Sequence, residues 1–271
     1  MVIRKRFGQH FLEPAWVVKV VQAIAPALDD EFYEIGPGRG ALTRELTARA
    51  RTVTAFEIDR DLVGDLRRTA PGNLTIVEGD FLESDWILTN RPAQPVRAAG
   101  NLPYNVASPI LFKLVELYSA GIPLTDATVM LQREVADRLV ARPGSKEYGV
   151  LSVLIRLSAD VERLLVLPAG AFRSASKVQS ALVRLRFHPA DPAPRNGALF
   201  SALVQAIFTR RRKTLANALL ALGSADRVSI SDALRTAGID GQRRPETLHI
   251  LEFVALADAV DRLPAGRRAV L

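Results

Sequence analysis

The sequence of 271 residues contains no cysteine, and its three histidines, His10, His188 and His249, lie far apart. Without cysteine there can be no disulfide bond, thiolate zinc site or cysteine nucleophile. The scattered histidines argue against a histidine-based metal site or catalytic dyad, so we expect no bound metal. No apolar run is long enough for a signal peptide or a membrane span. We therefore expect a soluble, cytoplasmic protein.

Acidic residues are fewer than basic ones. The sequence has 29 aspartates and glutamates and 36 lysines and arginines, which gives a formal net charge of +7. The simplest role of such an excess is solubility. The basic residues are clustered, however, and clusters near both ends of the chain can flank one groove and follow a phosphate backbone. The residues that we predict to contact a nucleic-acid backbone are Arg4, Lys5, Arg6, Arg210, Arg211, Arg212 and Lys213. The alternative for the second cluster is a solvated helix face.

Strand-like and helix-like segments alternate until near residue 160. The predicted strands cover residues 32–35, 52–56, 74–77, 96–100 and 127–131, and helices are predicted at 41–50, 59–68, 108–118 and from about 133. Such alternation is typical of a parallel, doubly wound sheet. Two further strand-like runs, 161–166 and 180–187, are joined by an irregular loop, and we expect them to form an antiparallel hairpin at one edge of the sheet.

A proline-rich segment, residues 189–194, separates this α/β part from the rest of the chain. Only helical patterns follow it, at 198–209, 213–222, 229–237 and 246–262. We therefore predict an α/β domain over residues 1–189 and a small all-α domain over residues 190–271. The basic cluster at residues 210–213 is expected within a helical stretch.

Distinctive residues follow the first four predicted strands. A Gly-x-Gly-x-Gly turn occupies residues 36–40, Glu57 ends the second strand, and Asp80 and Asn101 follow the third and fourth. In an open α/β sheet these ends meet at one edge, where ligands bind. The glycine spacing and Pro37, which lacks an N–H, favour S-adenosylmethionine over a dinucleotide. We expect Glu57 to accept ribose hydroxyls and Asp80 an adenine amine, although each acid alone is more simply a cap or a loop charge.

The tetrapeptide Asn101–Tyr104 (Asn-Leu-Pro-Tyr) is the most specific segment of the chain. Asn101 offers a side-chain oxygen, the residue before Pro103 is held extended so that backbone carbonyls can point outward, and Tyr104 offers a flat face. An acceptor pair beside a stacking surface suits the exocyclic amine of an aromatic base. The motif resembles the signature of adenine N6 methyltransferases. The alternative is an ordinary loop that uses Asn and Pro as turn residues.

Several longer stretches carry a broader resemblance. They cover residues 5–12, 34–43, 101–104, 131–139, 145–152, 211–215 and 238–246. With them the chain resembles, over nearly its full length, the small-subunit (16S) rRNA adenine N6,N6-dimethyltransferase family. The C-terminal stretches distinguish it from the resistance methylases of large-subunit rRNA. The resemblance implies a Rossmann-like class I methyltransferase fold, with a mostly parallel seven-stranded sheet, an antiparallel edge hairpin and a small all-α C-terminal domain.

The resemblance also implies an activity and a set of site residues. The expected reaction transfers methyl groups from S-adenosylmethionine to N6 of adenines, two adjacent adenines in a hairpin loop near the 3′ end of small-subunit rRNA, during ribosome biogenesis. The expected partner is small-subunit rRNA or the immature small subunit, and we expect a monomer. The implied cofactor contacts are His10, Leu12, Gly36, Gly38, Glu57, Asp80 and Asn101. The implied catalytic residues are Asn101, Leu102, Pro103 and Tyr104.

Two positions depart from the family pattern. His10 stands where Asn is usual, and residues 172–178 stand where the family has a proline-rich run. The missing prolines should leave that loop less rigid. An RNA-binding assembly factor with secondary catalysis remains an alternative function, as does an adenine methylase that acts on DNA. The glycine spacing and the basic helical tail argue against a nicotinamide dehydrogenase.

Overall fold

The computed structural model describes residues 12–173, 179–221 and 226–263. Its centre is a seven-stranded sheet in the order β3-β2-β1-β4-β5-β7-β6. The strands are β1 (Glu31–Ile35), β2 (Thr52–Glu57), β3 (Leu74–Glu78), β4 (Val96–Asn101), β5 (Leu124–Gln132), β6 (Ala159–Leu167) and β7 (Ser180–Phe187). The predicted class of fold is confirmed, and each predicted strand is present.

Most neighbouring strands of the sheet run parallel. This holds from β3 through β2, β1 and β4 to β5, whereas β7 runs antiparallel to β5. β6 lies beside β7 at the edge predicted for the hairpin. Because β1 to β4 are parallel, their carboxyl ends lie at one edge of the sheet, which is where open α/β folds bind ligands.

Gly100 allows β4 to approach β1 closely. The two strands are in register at Ile35 and Gly100. A Cβ atom at Gly100 would lie 2.4 Å from the carbonyl oxygen of Ile35, which is closer than real Cβ contacts. Any other residue would therefore displace β4 immediately before Asn101.

Six helices accompany the strands between residues 12 and 140. They are α1 (Pro14–Ile24), α2 (Ala41–Thr47), α3 (Arg60–Arg68), α4 (Trp86–Thr89), α5 (Ala107–Ser119) and α6 (Arg133–Val140). The side chain of Asp59 caps α3 by accepting a hydrogen bond from the N–H of Asp61, as its position predicted. The sequence interpretation did not include α1, although Val17, Val20 and Ile24 follow helical spacing and are buried.

Arg97 of β4 fixes the C-terminus of α1 to the sheet. Its side chain is 14% exposed and forms ion pairs with Asp30 at 2.7 Å and with Asp126 at 2.8 Å. The same guanidinium donates to the carbonyl oxygen of Ile24 at 2.8 Å. One partly buried cation thus pairs with two carboxylates and bonds a carbonyl at the end of α1 that has no partner within the helix.

Contacts divide the chain into two compact units. Within the described ranges, the first contains Met1–Ala136 and Asp160–His188, and the second contains Asp137–Ala159 and Pro189–Leu271. The later helices are α7 (Val150–Arg156), α8 (Gly197–Phe208), α9 (Leu215–Leu220), α10 (Arg227–Ala237) and α11 (Ile250–Asp261). The predicted boundary placed residues 137–159 in the α/β domain, whereas these units group them with the C-terminal helices.

Tyr148 explains this grouping. Its side chain is completely buried in one hydrophobic core with Phe200 and Phe253. Its hydroxyl donates to the carbonyl oxygen of Leu248 at 2.9 Å. A buried tyrosine needs both apolar packing and a polar partner, and for Tyr148 residues of the C-terminal helical segment supply both.

The basic cluster at residues 210–213 lies in the connection between α8 and α9. The prediction that it belongs to a helical stretch was wrong, because α8 ends at Phe208. The next helix begins only after Thr214, whose side chain accepts a hydrogen bond from the N–H of Asn217. The capping threonine therefore leaves the four basic residues outside regular helix.

Among the helices that the structure describes, none combines the length and the hydrophobicity needed to cross a membrane. Nor do the described ranges contain a group of three or more His, Cys, Asp or Glu side chains that could hold a metal ion.

Candidate active site

A cavity of about 590 Å³ lies at the carboxyl ends of β1 to β4. This volume is typical of small-molecule sites. The predicted site residues that line it are Leu12, Gly36, Gly38, Glu57, Asp80, Asn101, Leu102, Pro103 and Tyr104. The predicted cofactor contact His10 and the basic residues Arg4, Lys5 and Arg6 lie outside the described residues.

The glycine turn after β1 forms one wall of the cavity. Gly36, Gly38 and Gly40 have φ values of 69°, 58° and 73°, in the left-handed region that glycine enters without strain. The N–H of Gly40 donates to the carbonyl oxygen of Pro37 at 2.9 Å and closes the turn. Because the three glycines carry no side chains, a ligand can approach the backbone closely here.

Glu57 joins the glycine turn to the end of β2. Its Oε2 accepts a hydrogen bond from the N–H of Gly38 at 2.9 Å, and its Oε1 accepts one from the N–H of Asp59 at 3.0 Å. Burial raises the pKa of Glu57, which is 4% exposed, whereas the backbone donors lower it. A carboxylate has about four acceptor sites. The fixed group can therefore still accept the two hydroxyls of a ribose.

Asp80 and two apolar residues continue the cavity wall. Oδ1 of Asp80 accepts a hydrogen bond from the N–H of Leu82 at 2.9 Å, which orients the carboxylate and leaves it capacity to accept from an amine. Ile58 is 44% exposed and Phe81 is buried, and both line the cavity. The sequence interpretation missed these two, although each directly follows a predicted acid. Apolar walls beside an acceptor suit a planar, amine-bearing ring.

Asn101 is the last residue of β4 and lies opposite Met130 of β5. The N–H of Leu102 donates to the carbonyl oxygen of Met130 at 3.2 Å, so the chain stays attached to β5 for one more residue. It then turns, because the N–H of Val106 donates to the carbonyl oxygen of Pro103 at 3.1 Å. These bonds leave the side chain of Asn101 at the cavity wall on a fixed backbone.

Two further contacts lie beside Asn101–Tyr104. One involves Tyr104, and the other involves Phe172, the first residue of the stretch that departs from the family pattern. The hydroxyl of Tyr104 lies 2.7 Å from Oγ of Ser180. Phe172 is buried and forms an isolated β-bridge with Leu12, which connects the start of that region to the cavity wall. Residues 174–178 lie outside the described ranges.

Glu34 is a lining residue that the predicted site did not include. It is 1% exposed, and its Oε2 has no hydrogen-bond partner among the described residues. Burial, with a contribution from the nearby charge of Glu57, raises the pKa of Glu34 to about 8. The side chain is therefore protonated at neutral pH. The signal that could have found it is an acid within the otherwise apolar strand β1.

The charges of the cavity separate two classes of cofactor. Among the described lining residues, Glu57 and Asp80 are acids and Arg39 is the one basic residue, while the protonated Glu34 adds no charge. A pyrophosphate would bring negative charge to acidic walls, whereas a sulfonium cofactor brings positive charge. The glycine turn also lacks a donor at Pro37. The residues present therefore fit S-adenosylmethionine better than a dinucleotide.

Comparison with known proteins gives consistent matches over most of the chain. Residues 2–261 match the family model described as ribosomal RNA adenine dimethylase. The chain is 44% identical to the ribosomal RNA small subunit methyltransferase A of Acinetobacter baylyi, covering 94% of this chain and 91% of that protein. It is 45% identical to the protein of the same name from Nitrosococcus oceani, covering 93% and 94%.

Two crystal structures share the fold. A dimethyladenosine transferase from Plasmodium falciparum aligns with a TM-score of 0.76 at 24% identity, covering 91% of this chain and 96% of that one. The 23S rRNA methyltransferase ErmE aligns with a TM-score of 0.66 at 27% identity, covering 93% and 100%.

The seven-stranded sheet and the cavity at its strand ends define a class I methyltransferase, an enzyme class that uses S-adenosylmethionine. Within that class, the chain belongs to the ribosomal RNA adenine dimethylase family.

The protonation of Glu34 predicts a pH-dependent effect of Glu34→Gln on stability. Below pH 4.5 the carboxyl is protonated in both the folded and the unfolded chain. Between pH 4.5 and about 8 only the unfolded chain releases the proton, so the wild-type protein loses stability as pH rises. Denaturant titrations at pH 5 and pH 7 should show the variant gaining on the order of 2 kcal/mol relative to wild type, because one pKa unit is about 1.4 kcal/mol.

Glu45→Gln is the matched control, since Glu45 is a partly exposed surface acid paired with Arg49. Its difference from wild type should stay nearly constant between the two pH values. A constant difference for Glu34→Gln as well would show that Glu34 is ionised in the folded protein.

Proposed function

We propose that this protein transfers methyl groups from S-adenosylmethionine to N6 of two adjacent adenines in a hairpin loop near the 3′ end of small-subunit rRNA, during ribosome biogenesis. The observation that carries the proposal is that Asn101–Tyr104 lines the same cavity as Glu57 and Asp80. The names of the relatives from Acinetobacter baylyi and Nitrosococcus oceani support the small subunit as the target. We further propose that the protein acts in the cytoplasm as a monomer on the immature subunit.

The cofactor would be held by strand-end residues. Glu57 would accept hydrogen bonds from the ribose hydroxyls with the acceptor sites that its two backbone donors leave. Asp80 would accept one from the adenine amine, and Ile58 and Phe81 would supply apolar walls for the ring. The backbone of the glycine turn and Leu12 would border the rest of the cofactor. When bound, S-adenosylmethionine supplies a methyl group on a positively charged sulfur.

Asn101 would activate the target amine by accepting a hydrogen bond from its N–H. The N6 lone pair of adenine is delocalised into the ring, and N6–H bonds to the Asn101 side-chain oxygen and to one backbone carbonyl favour a more tetrahedral nitrogen. The Pro103 carbonyl already accepts from Val106, which favours the Leu102 carbonyl as the second acceptor. No strong base is required beforehand, because the amine becomes acidic only as it gains the methyl group. The contribution of these residues is mainly positioning and electrostatics.

Tyr104 would receive the target base. Removing a base from its stack costs about a few kcal/mol, and stacking on an aromatic side chain returns roughly 1–3 kcal/mol. An unpaired loop base lowers that cost, which supports a folded RNA hairpin as the substrate.

An RNA-binding surface is proposed on the second unit. Arg211 is paired with Glu246 at 2.9 Å and donates to the carbonyl oxygen of Lys146 at 3.0 Å, so its charge is used within the protein. The N–H of Leu215 donates to the carbonyl oxygen of Arg243 at 2.7 Å, which brings the next residue, Arg244, beside the cluster. The exposed cations around the Arg211 ion pair are Lys146, Arg210, Arg212, Lys213 and Arg244. We call these five residues the basic surface.

The basic surface also favours the second candidate function, an assembly factor whose RNA binding matters more than its catalysis. Its residues come from three segments of the chain, and in the described ranges they form no ion pair. Cations without a protein partner are available for phosphate contacts. In the first function the protein acts through methyl transfer, and in the second it acts through RNA binding. A variant that loses methyl transfer but keeps RNA binding therefore tests both.

Asn101→Ala should abolish methyl transfer far more than it weakens RNA binding, because its acceptor matters most as N6 becomes a nucleophile. The assay is incubation of unmethylated small subunits with labelled S-adenosylmethionine at saturating concentration, followed by mapping of the label on the rRNA. Asn90→Ala is the control, since it removes an exposed amide at the end of α4. Label in adenines should disappear only in the Asn101 variant. A normal rate for that variant would favour the assembly-factor function.

Replacement of Lys146, Arg212 and Lys213 by Gln should weaken RNA binding and leave cofactor affinity unchanged. Each lost phosphate contact should lower the slope of log affinity against log salt by about 0.7 to 0.9. Arg211→Gln should instead lower the free energy of unfolding, because it leaves the half-buried Glu246 unpaired.

Arg262→Gln serves as the control for charge alone, because Arg262 is exposed at the end of α11. If the triple variant has the same salt slope as wild type, the basic surface is exposed to solvent and makes no phosphate contacts.

A further inference from the structure

Tyr104 and Ser180 meet although they belong to different strands. Tyr104 follows β4, Ser180 is the first residue of β7, and β5 lies between these two strands in the sheet. The two hydroxyl oxygens are 2.7 Å apart, a normal hydrogen-bond distance, and either can donate. The side chain of Tyr104 is therefore held at both ends, by its backbone and by its hydroxyl.

Ser180 is a firmly placed partner. It is completely buried, and its backbone pairs with Gln132 in the β5–β7 ladder. The carbonyl oxygen of the preceding residue, Gln179, accepts a hydrogen bond from the N–H of Arg133 at 2.9 Å. Because the backbone is fixed on both sides, the Oγ atom stays within reach of Tyr104.

We propose that Ser180 is a positioning residue for methyl transfer, which holds the ring of Tyr104 in the orientation that receives the target adenine. This inference rests on the proposed function, in which Tyr104 stacks on that base. Without the bond to Ser180, the hydroxyl end of the ring loses this contact, and the ring presents its face correctly for a smaller part of the time. A ring that is oriented before RNA binds speeds the reaction without tightening cofactor binding.

The two hydroxyls therefore act as one unit. From the sequence alone, the flat face of Tyr104 is its whole contribution, and phenylalanine keeps that face. The bond to Ser180 gives the hydroxyl a role of its own, because Tyr104→Phe and Ser180→Ala each remove the same contact. Their effects should not add when both are introduced.

The test is single-turnover methylation of unmethylated small subunits at saturating cofactor. Ser180→Ala and Tyr104→Phe should each slow transfer by about threefold to tenfold, and the double variant should be no slower than the slower single variant. Cofactor affinity should not change, and Ser180→Thr, which keeps a hydroxyl, should restore the rate. Losses that add, or a wild-type rate for Ser180→Ala, would refute the proposal.

Thr128→Val is the control for a buried hydroxyl elsewhere in the sheet. Thr128 of β5 accepts a hydrogen bond from Arg184 at 3.1 Å, and its loss should lower stability without slowing transfer. Equal slowing by Thr128→Val and Ser180→Ala would reduce the role of Ser180 to general stability and overturn the proposal.

A second readout does not depend on activity. The chain has four tyrosines, so the NMR signals of labelled tyrosine rings are few, and Tyr104→Phe identifies the signal of Tyr104. Ser180→Ala should shift or broaden that signal alone. An unchanged signal would contradict a hydrogen bond between Ser180 and Tyr104. If the wild-type protein transfers no methyl group while the signal does shift in Ser180→Ala, the proposed function is wrong but the hydrogen bond between Ser180 and Tyr104 is confirmed.

Discussion

The site depends on one buried carboxylate. Glu57 accepts hydrogen bonds from the backbone of Gly38 and Asp59, so it joins the glycine turn after β1 to the segment after β2. A buried carboxylate without such donors would be strongly unfavourable. The bonds therefore both allow the acid to be buried and fix the position of the turn. Its charge also contributes to keeping the neighbouring Glu34 protonated.

The order of the strands brings the two substrates of the proposed reaction together. Parallel pairing of β1 with β2 and with β4 places residues that are remote in sequence at adjacent strand ends. Gly100 lets β4 lie against β1, so Asn101 lines the same cavity as Glu57. The order of the strands therefore makes the proposed cofactor site and the proposed target-base site neighbours. Small displacements of β4 should affect transfer more than binding.

The alternating pattern was sufficient to predict the strands, and the residues at strand ends predicted the cavity-lining Gly36, Gly38, Glu57, Asp80 and Asn101–Tyr104, but not Ile58 or Phe81. Contacts between distant residues could not be predicted in this way. Tyr104 and Ser180 are 76 positions apart, Arg211 and Glu246 are 35 apart, and Tyr148 and Leu248 are 100 apart. Local periodicity carries no information about such pairs, which is why the ion-paired state of Arg211 and the grouping of residues 137–159 emerged only from the structure. The protonation of Glu34 likewise depends on burial by the whole fold.

Titration calorimetry with S-adenosylmethionine and with NAD decides whether the strand-end cavity binds S-adenosylmethionine through Glu57. The wild-type protein should bind S-adenosylmethionine and not NAD. Glu57→Ala should weaken that binding by at least about thirtyfold, since lost acceptors leave buried hydroxyls unpaired at about 2 kcal/mol. Glu83→Ala, which removes an exposed acid nearby, should bind normally. Tight NAD binding without S-adenosylmethionine binding would overturn the identity of the cofactor. Wild-type affinity in a folded Glu57→Ala variant would overturn the role of Glu57.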